Sequence, residues 1–194
     1  MKTKIFFILL AICHVFNSIA LTQNIEQIKD KYLIVLDIQQ HFTKNVIQET
    51  EAEMLIKTIN SIINDANPQK VIYVKSILTT LNISLKGFDV DTLPKLDFDN
   101  RLNIVNDQIV VKNKANAFKF EKLTNLLEKD NDKEVIVVGL MAEHCVYKTL
   151  LGGKKSGYEM FVIPEAIAGK STEGKDKIVN KMKKQNIEII NYCN

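Results

Sequence analysis

From residue 32 onward the chain alternates short, nearly unbroken apolar runs with longer segments in which apolar residues recur every three or four positions. Residues 32–38 (YLIVLDI) form the first run, and its branched side chains predict a strand buried on both faces. Between 46 and 64, Ala52, Leu55, Ile56, Ile59, Ile62 and Ile63 fall on one helical face, and the helix is expected to stop near Pro68. The alternation continues with strands at 70–74 and 109–112, a helix at 120–127 and the clearest strand at 134–139 (EVIVVG). A helix at 145–155, a strand at 159–163, a lysine-rich helix at 175–184 and a sixth strand at 187–191 complete it. Strands separated by helices predict an α/β fold with a mostly parallel sheet covered on both faces. The segment 76–108 follows neither period, and loops of that length often form the lids or rims of sites.

The first twenty residues stand outside this pattern. Lys2 and Lys4 precede an apolar run over 5–12, and Ser18-Ile19-Ala20 supplies small residues three and one positions before a cut after Ala20. That order is the grammar of a signal peptide, and the run is too short to span a bilayer. The expected organisation is therefore a leader over 1–20 and one domain over 21–194, secreted or delivered to the secretory lumen, with no membrane attachment after cleavage. A lipoprotein reading at Cys13 is opposed by the bulky Ile12 where a small residue is needed.

Composition narrows the class. A chain of 194 residues with 46% hydrophobic content can build one sizeable core. Loss of Lys2 and Lys4 turns the 26 basic and 23 acidic residues into 24 and 23, a near-neutral balance that gives nucleic acid no footprint. Of three cysteines, Cys13 leaves with the leader, so Cys145 and Cys193 cannot form a multi-bridge framework. The sequon Asn82-Ile83-Ser84 fits a secreted chain.

In a doubly wound sheet ligands bind beyond the carboxyl ends of the strands, and Asp37, Lys112 and Cys145 all fall there. Cys145 follows Gly139 by six residues, where strand turns into helix. Unpaired amides and the helix dipole at such a turn favour a thiolate and could hold an oxyanion. Taken singly, each residue has a plainer reading: a small buried thiol, a turn-forming carboxylate, a solvated strand end. Their joint spacing is what singles them out.

That spacing resembles the isochorismatase-like cysteine hydrolases, which include the nicotinamidases, over about residues 32–169. The opening motif is Leu33-Ile34-Val35-Leu36-Asp37-Ile38-Gln39-Gln40-His41-Phe42, the middle one is Lys112 with Phe118, and the third is Gly139-Leu140-Met141-Ala142-Glu143-His144-Cys145-Val146. The resemblance implies a Rossmann-like three-layer α/β/α sandwich with a six-stranded, mostly parallel sheet. It implies a Cys-Asp-Lys triad carried onto Cys145, Asp37 and Lys112, and a cis peptide at Leu140-Met141. It further implies an oxyanion hole from the amides of Met141 and Cys145, with Asp37 acting as both acid and base. Phe42 and Phe118 are expected to wall the substrate pocket. His144, next to Cys145, is expected to point away from the thiol and to serve as a rim or substrate contact.

The chain also departs from the family pattern. Nicotinamidases carry a metal site of an aspartate and histidines between the second and third strands, and this chain has no histidine there. Asp89, Asp91, Asp97 and Asp99 lack imidazole partners, so no catalytic metal and no cofactor are expected. Family members that cleave isochorismate itself lack the nucleophilic cysteine, which points here to carbon–nitrogen bond hydrolysis in a small amide-like molecule. A catalytically silent secreted binding protein on the same fold, and a thiol redox protein, are the alternatives, and homo-oligomerisation is left open.

Overall fold

The computed structural model of the chain describes residues 26–84, 87–93 and 97–192, and for 78–84 and 87–93 the backbone alone. The expected leader, Cys13 and Cys193 lie outside the described residues, as do the side chains of Asn82, Asp89 and Asp91. Six strands form one sheet: β1 (Tyr32–Leu36), β2 (Val71–Ser76), β5 (Ile109–Lys112), β6 (Glu134–Gly139), β7 (Glu159–Ile167) and β8 (Glu188–Ile189). Their order is β5-β2-β1-β6-β7-β8, and every pairing is parallel. From β1 the chain builds outward through β2 and β5, then returns to place β6 on the other side of β1. The topological switch therefore lies between β1 and β6, where such sheets open a crevice at their carboxyl edge.

Alternate residues along each strand enter opposite cores, as the two-residue strand period requires. Leu33, Val35 and Val138 pack with helix α2 (Glu49–Asp65) on one face. Ile34, Leu36 and Val137 pack on the other with α3 (Glu121–Leu127), α4 (Tyr147–Lys155) and α5 (Thr172–Lys184). Helix α2 opens with Glu49 and Glu51 near its positive end. In α5 the Ser171 hydroxyl caps by accepting from Gly174 N, 3.1 Å away, and lysines fill the last turn. The result is the three-layer α/β/α sandwich that the alternation predicts.

Three segments differ from the sequence expectation. The aperiodic stretch 76–108 contains an antiparallel hairpin, β3 (Leu78–Ser84) and β4 (Gly87–Leu93), forming its own two-stranded sheet. β7 runs four residues beyond the expected end at 163, and β8 shrinks to two residues at the sheet edge. The helix expected from Cys145 begins instead with a π-helical turn, Ala142–Val146, before α4.

Chain returning from the hairpin is pinned beside a short helix, α1 (Gln40–Asn45), by backbone bonds from Gln40 N to Asp97 O and from Asp99 N to Ile38 O. Asp99, 1% exposed, accepts at Oδ2 from Thr43 Oγ1 (2.6 Å) and Arg101 Nη2 (2.8 Å) and at Oδ1 from Arg101 Nε (2.9 Å). These partners, the Arg101 guanidinium foremost, hold the Asp99 carboxyl well below the usual carboxylate range. A lowered folded-state pKa adds stability above the unfolded value near 3.9 and loses it as pH falls further. Asp99→Asn is expected to cost about 2 kcal/mol in denaturant melts at pH 7, with the difference from the parent chain shrinking below pH 4.

Candidate active site

Four neighbouring strands end at the switch crevice, and each end delivers one chemical group. β1 stops at Leu36, and Asp37 follows in a left-handed conformation (φ 57°), which Asp takes more readily than most residues. The Asp37 amide still bonds Val74 O at 2.8 Å, so the carboxylate is fixed at the sheet edge. Two residues on, buried Gln39 accepts from Ser76 N (2.7 Å) and donates from Nε2 to Ser76 O (3.1 Å), clamping the end of β2. Parallel register then sets Ser76 opposite Lys112 at the end of β5.

Lys112 is 1% exposed, and its ammonium donates to Asp37 Oδ2 (2.8 Å), Ser76 Oγ (2.7 Å) and Cys145 Sγ (3.4 Å). All three of its donors are thereby used. Ser76 Oγ in turn donates to Asp37 Oδ1 at 2.9 Å. The three residues expected from their spacing converge, and Ser76 joins them as a fourth. The sequence carried one signal for Ser76, its place at the carboxyl end of a parallel strand beside that of Asp37.

Cys145 arrives from the fourth strand. Gly139 ends β6 with φ 116°, and a Cβ there would meet Leu36 O at 2.1 Å, so only glycine allows β6 to approach β1 this closely. A cis peptide at Leu140-Met141 follows, as the resemblance implies. The amides on either side of Met141 are tied, Leu140 N to Leu36 O and Ala142 N to Ala168 O. Beyond them the π turn carries Glu143, His144 and Cys145, and Glu143 Oε1 accepts from Lys170 N at 3.1 Å.

The wider π turn corrects the expectation for His144. Successive residues on it diverge by a smaller angle than on an α-helix, and His144 Nδ1 stands 3.6 Å from Cys145 Sγ. The imidazole lines the pocket and also contacts the thiol. Phe42 lines the same cavity of about 230 Å³, with Asp37, Ser76, Ile77, Met141 and Cys145. Phe118 does not. It packs, partly buried, against the core, 5.3 Å between ring centroids from Tyr158 and against Gly153 of α4, whose missing side chain leaves a slot that Met160 and Phe118 fill together.

Electrostatics correct a second expectation. Burial pushes the Cys145 thiol up to about 11, the Asp37 carboxylate adds to the rise, and the Lys112 ammonium only partly offsets it. At neutral pH the resting sulfur is a thiol, because desolvation outweighs what the turn offers a thiolate. His144 is shifted the other way, lowered first by burial and then by the Lys148 and Lys112 cations.

The chain and its fold have counterparts among known proteins. Residues 31–192 match the model of the isochorismatase domain, and the chain belongs to the isochorismatase family. A secreted isochorismatase effector of Verticillium dahliae is 23% identical over 151 residues, 76% of this chain and 77% of that protein. The pyrazinamidase of Pyrococcus horikoshii, solved in complex with zinc, superposes with TM-score 0.67 at 21% identity, over 84% of this chain and 99% of that one. An octameric hydrolase of unknown specificity from Escherichia coli superposes with TM-score 0.63 at 15% identity, over 84% and 75%. The fold is thus that of a hydrolase family with pyrazinamidase and nicotinamidase neighbours. For zinc the residues do not fit: among the described residues no three His, Cys, Asp or Glu side chains group to hold a metal. Asp99 is committed to Arg101 and Thr43.

Alkylation of Cys145 by iodoacetamide should follow a titration centred near pH 11, above the roughly 8.5 of a free thiol. Asp37→Asn removes an anion that disfavours the thiolate and should move the midpoint down. Lys112→Met removes the opposing cation and should move it up.

Proposed function

We propose that this chain is a cysteine hydrolase that cleaves a carbon–nitrogen, amide-like bond in a small molecule. The observation that carries the reading is the Lys112 ammonium bonded at once to Asp37, Ser76 and Cys145 Sγ, all four lining one small cavity. Cysteine, carboxylate and buried cation within hydrogen-bond reach are the parts of a nucleophilic acyl transfer. Asp37 takes the thiol proton as Sγ bonds the substrate carbonyl carbon, which suits a sulfur that rests protonated. The amides of Met141 and Cys145 receive the oxyanion, and no carbonyl among the described residues takes the Met141 N–H. Collapse of the adduct breaks the carbon–nitrogen bond, Asp37 passes the proton to the departing amine, and the acyl group stays on Sγ.

The cavity of about 230 Å³ is smaller than the roughly 300–1,000 Å³ of pockets for drug-sized ligands, which supports a small substrate. Phe42, Ile77 and Met141 line it and favour an apolar body attached to the amide. No described helix is long and apolar enough to cross a membrane. The leader over 1–20 and the secreted relative support export of the domain over 21–194. The octameric neighbour supports self-association, to be read by sedimentation.

One observation favours a second reading. A thiol held near 11 on a fold shared with a secreted effector suits a binding protein without turnover. Ammonia release from a panel of small primary amides separates the two. The hydrolase reading expects turnover that vanishes in Cys145→Ala and falls by roughly 10²–10⁴-fold in Asp37→Asn. Tight binding of an amide with no ammonia release and no label on Cys145 establishes the silent binder.

A further inference from the structure

Resting on the hydrolase reading, we propose that His144 is the general base that hydrolyses the acyl-enzyme, while Asp37 serves only the step that forms it. The two candidate bases stand at different places relative to the sulfur. Asp37 lies on the floor, 2% exposed, with Oδ1 receiving the Ser76 hydroxyl and Oδ2 the Lys112 ammonium. His144 is exposed at the mouth, and its Nδ1 reaches Sγ at 3.6 Å. An acyl group on Sγ shares a cavity of about 230 Å³ that Asp37 and His144 both line, and of the two only His144 is open to solvent. Water must then arrive from the mouth, where the imidazole stands within one water of the thioester carbon, the reach a general base needs.

The protons balance without Asp37. With its own proton on Nε2, His144 accepts one at Nδ1 from the incoming water as the water oxygen bonds the acyl carbon. The tetrahedral adduct collapses, the carbon–sulfur bond breaks, and its electron pair returns to Sγ. The imidazolium, in contact with that sulfur, gives its proton back to it. The free acid leaves, and Cys145 is again a neutral thiol beside a neutral imidazole.

The groups around the ring support this role. Burial foremost, then Lys148 on α4, Lys112 on β5 and Lys170 ahead of α5, lower the His144 pKa from 6.5, opposed by Asp37. The ring therefore carries a free lone pair throughout the neutral range, and its function is lost only as pH falls through that lowered pKa.

The test uses p-nitrophenyl acetate with the whole chain, reading the nitrophenolate burst by stopped flow and the acetyl group on Cys145 by intact-protein mass spectrometry. In His144→Gln the burst is expected to keep its amplitude, the steady rate to fall about 100-fold, and acetylated Cys145 to accumulate. Free imidazole should restore deacylation in His144→Ala, which a merely structural role would not allow. The parent's deacylation rate should decline as pH falls through the lowered His144 pKa, on the acid side of 6.5, and the His144→Gln rate should not. Deacylation by His144→Gln at the parental rate overturns the assignment and leaves the hydrolase reading standing. Absence of a Cys145-dependent burst in the parent overturns the hydrolase reading, and the assignment with it.

Discussion

An ammonium group with 1% exposure is the constraint on which the carboxyl edge of this sheet is organised. Burying a lysine cation away from water costs several kcal/mol unless every donor finds an acceptor. Lys112 meets that demand by drawing on three other elements: the turn after β1, the end of β2 and the π turn after β6. Each contact needs its strand to stop at the right register, so pairing of Leu36 with Val74 and of Ser76 with Lys112 positions the cation as firmly as its own bonds do. Gln39 extends this order outward by clamping Ser76 through both backbone groups.

The same close approach that gathers these groups keeps water from them, and that exclusion decides the chemistry of the sulfur. A thiol at an open helix N-terminus would ionise easily. Here the elbow is pressed against β1 at Gly139, a contact no larger residue permits, and the sulfur is desolvated beside a carboxylate. On the proposed hydrolase reading, deprotonation belongs within the reaction, and a nearby proton acceptor becomes necessary. Asp37, buried beside Lys112, and His144, exposed beside the sulfur, are the two groups placed to serve. Membership of the isochorismatase family fixes the scaffold, and on it this chain sets an imidazole beside Cys145.

Much of the fold was legible in the sequence because strands buried on both faces leave continuous apolar runs and covering helices leave a period near 3.6. The run from Tyr32 to Leu36 and the helical face from Ala52 to Ile63 are found where those patterns put them. The hairpin within 76–108 was not legible, since it forms a two-stranded sheet of its own and its mixed composition follows no sustained period. Asp37, Lys112 and Cys145 could be singled out because strand ends in a doubly wound sheet converge at one edge. Phe118 could not be assigned correctly, because whether a ring turns to a pocket or a core depends on a slot opened by Gly153, thirty-five residues away.

The sequence by itself determined the parallel sheet, the elbow glycine and the three groups that meet at the sheet edge, because each is written in local periodicity or in position relative to a strand end. Tertiary structure decided that Ser76 bridges Asp37 and Lys112, that the thiol rests protonated and that His144 touches it. Those outcomes depend on distances between elements, on how much water a finished cavity admits and on the width of a single helical turn, none of which any run of residues encodes alone.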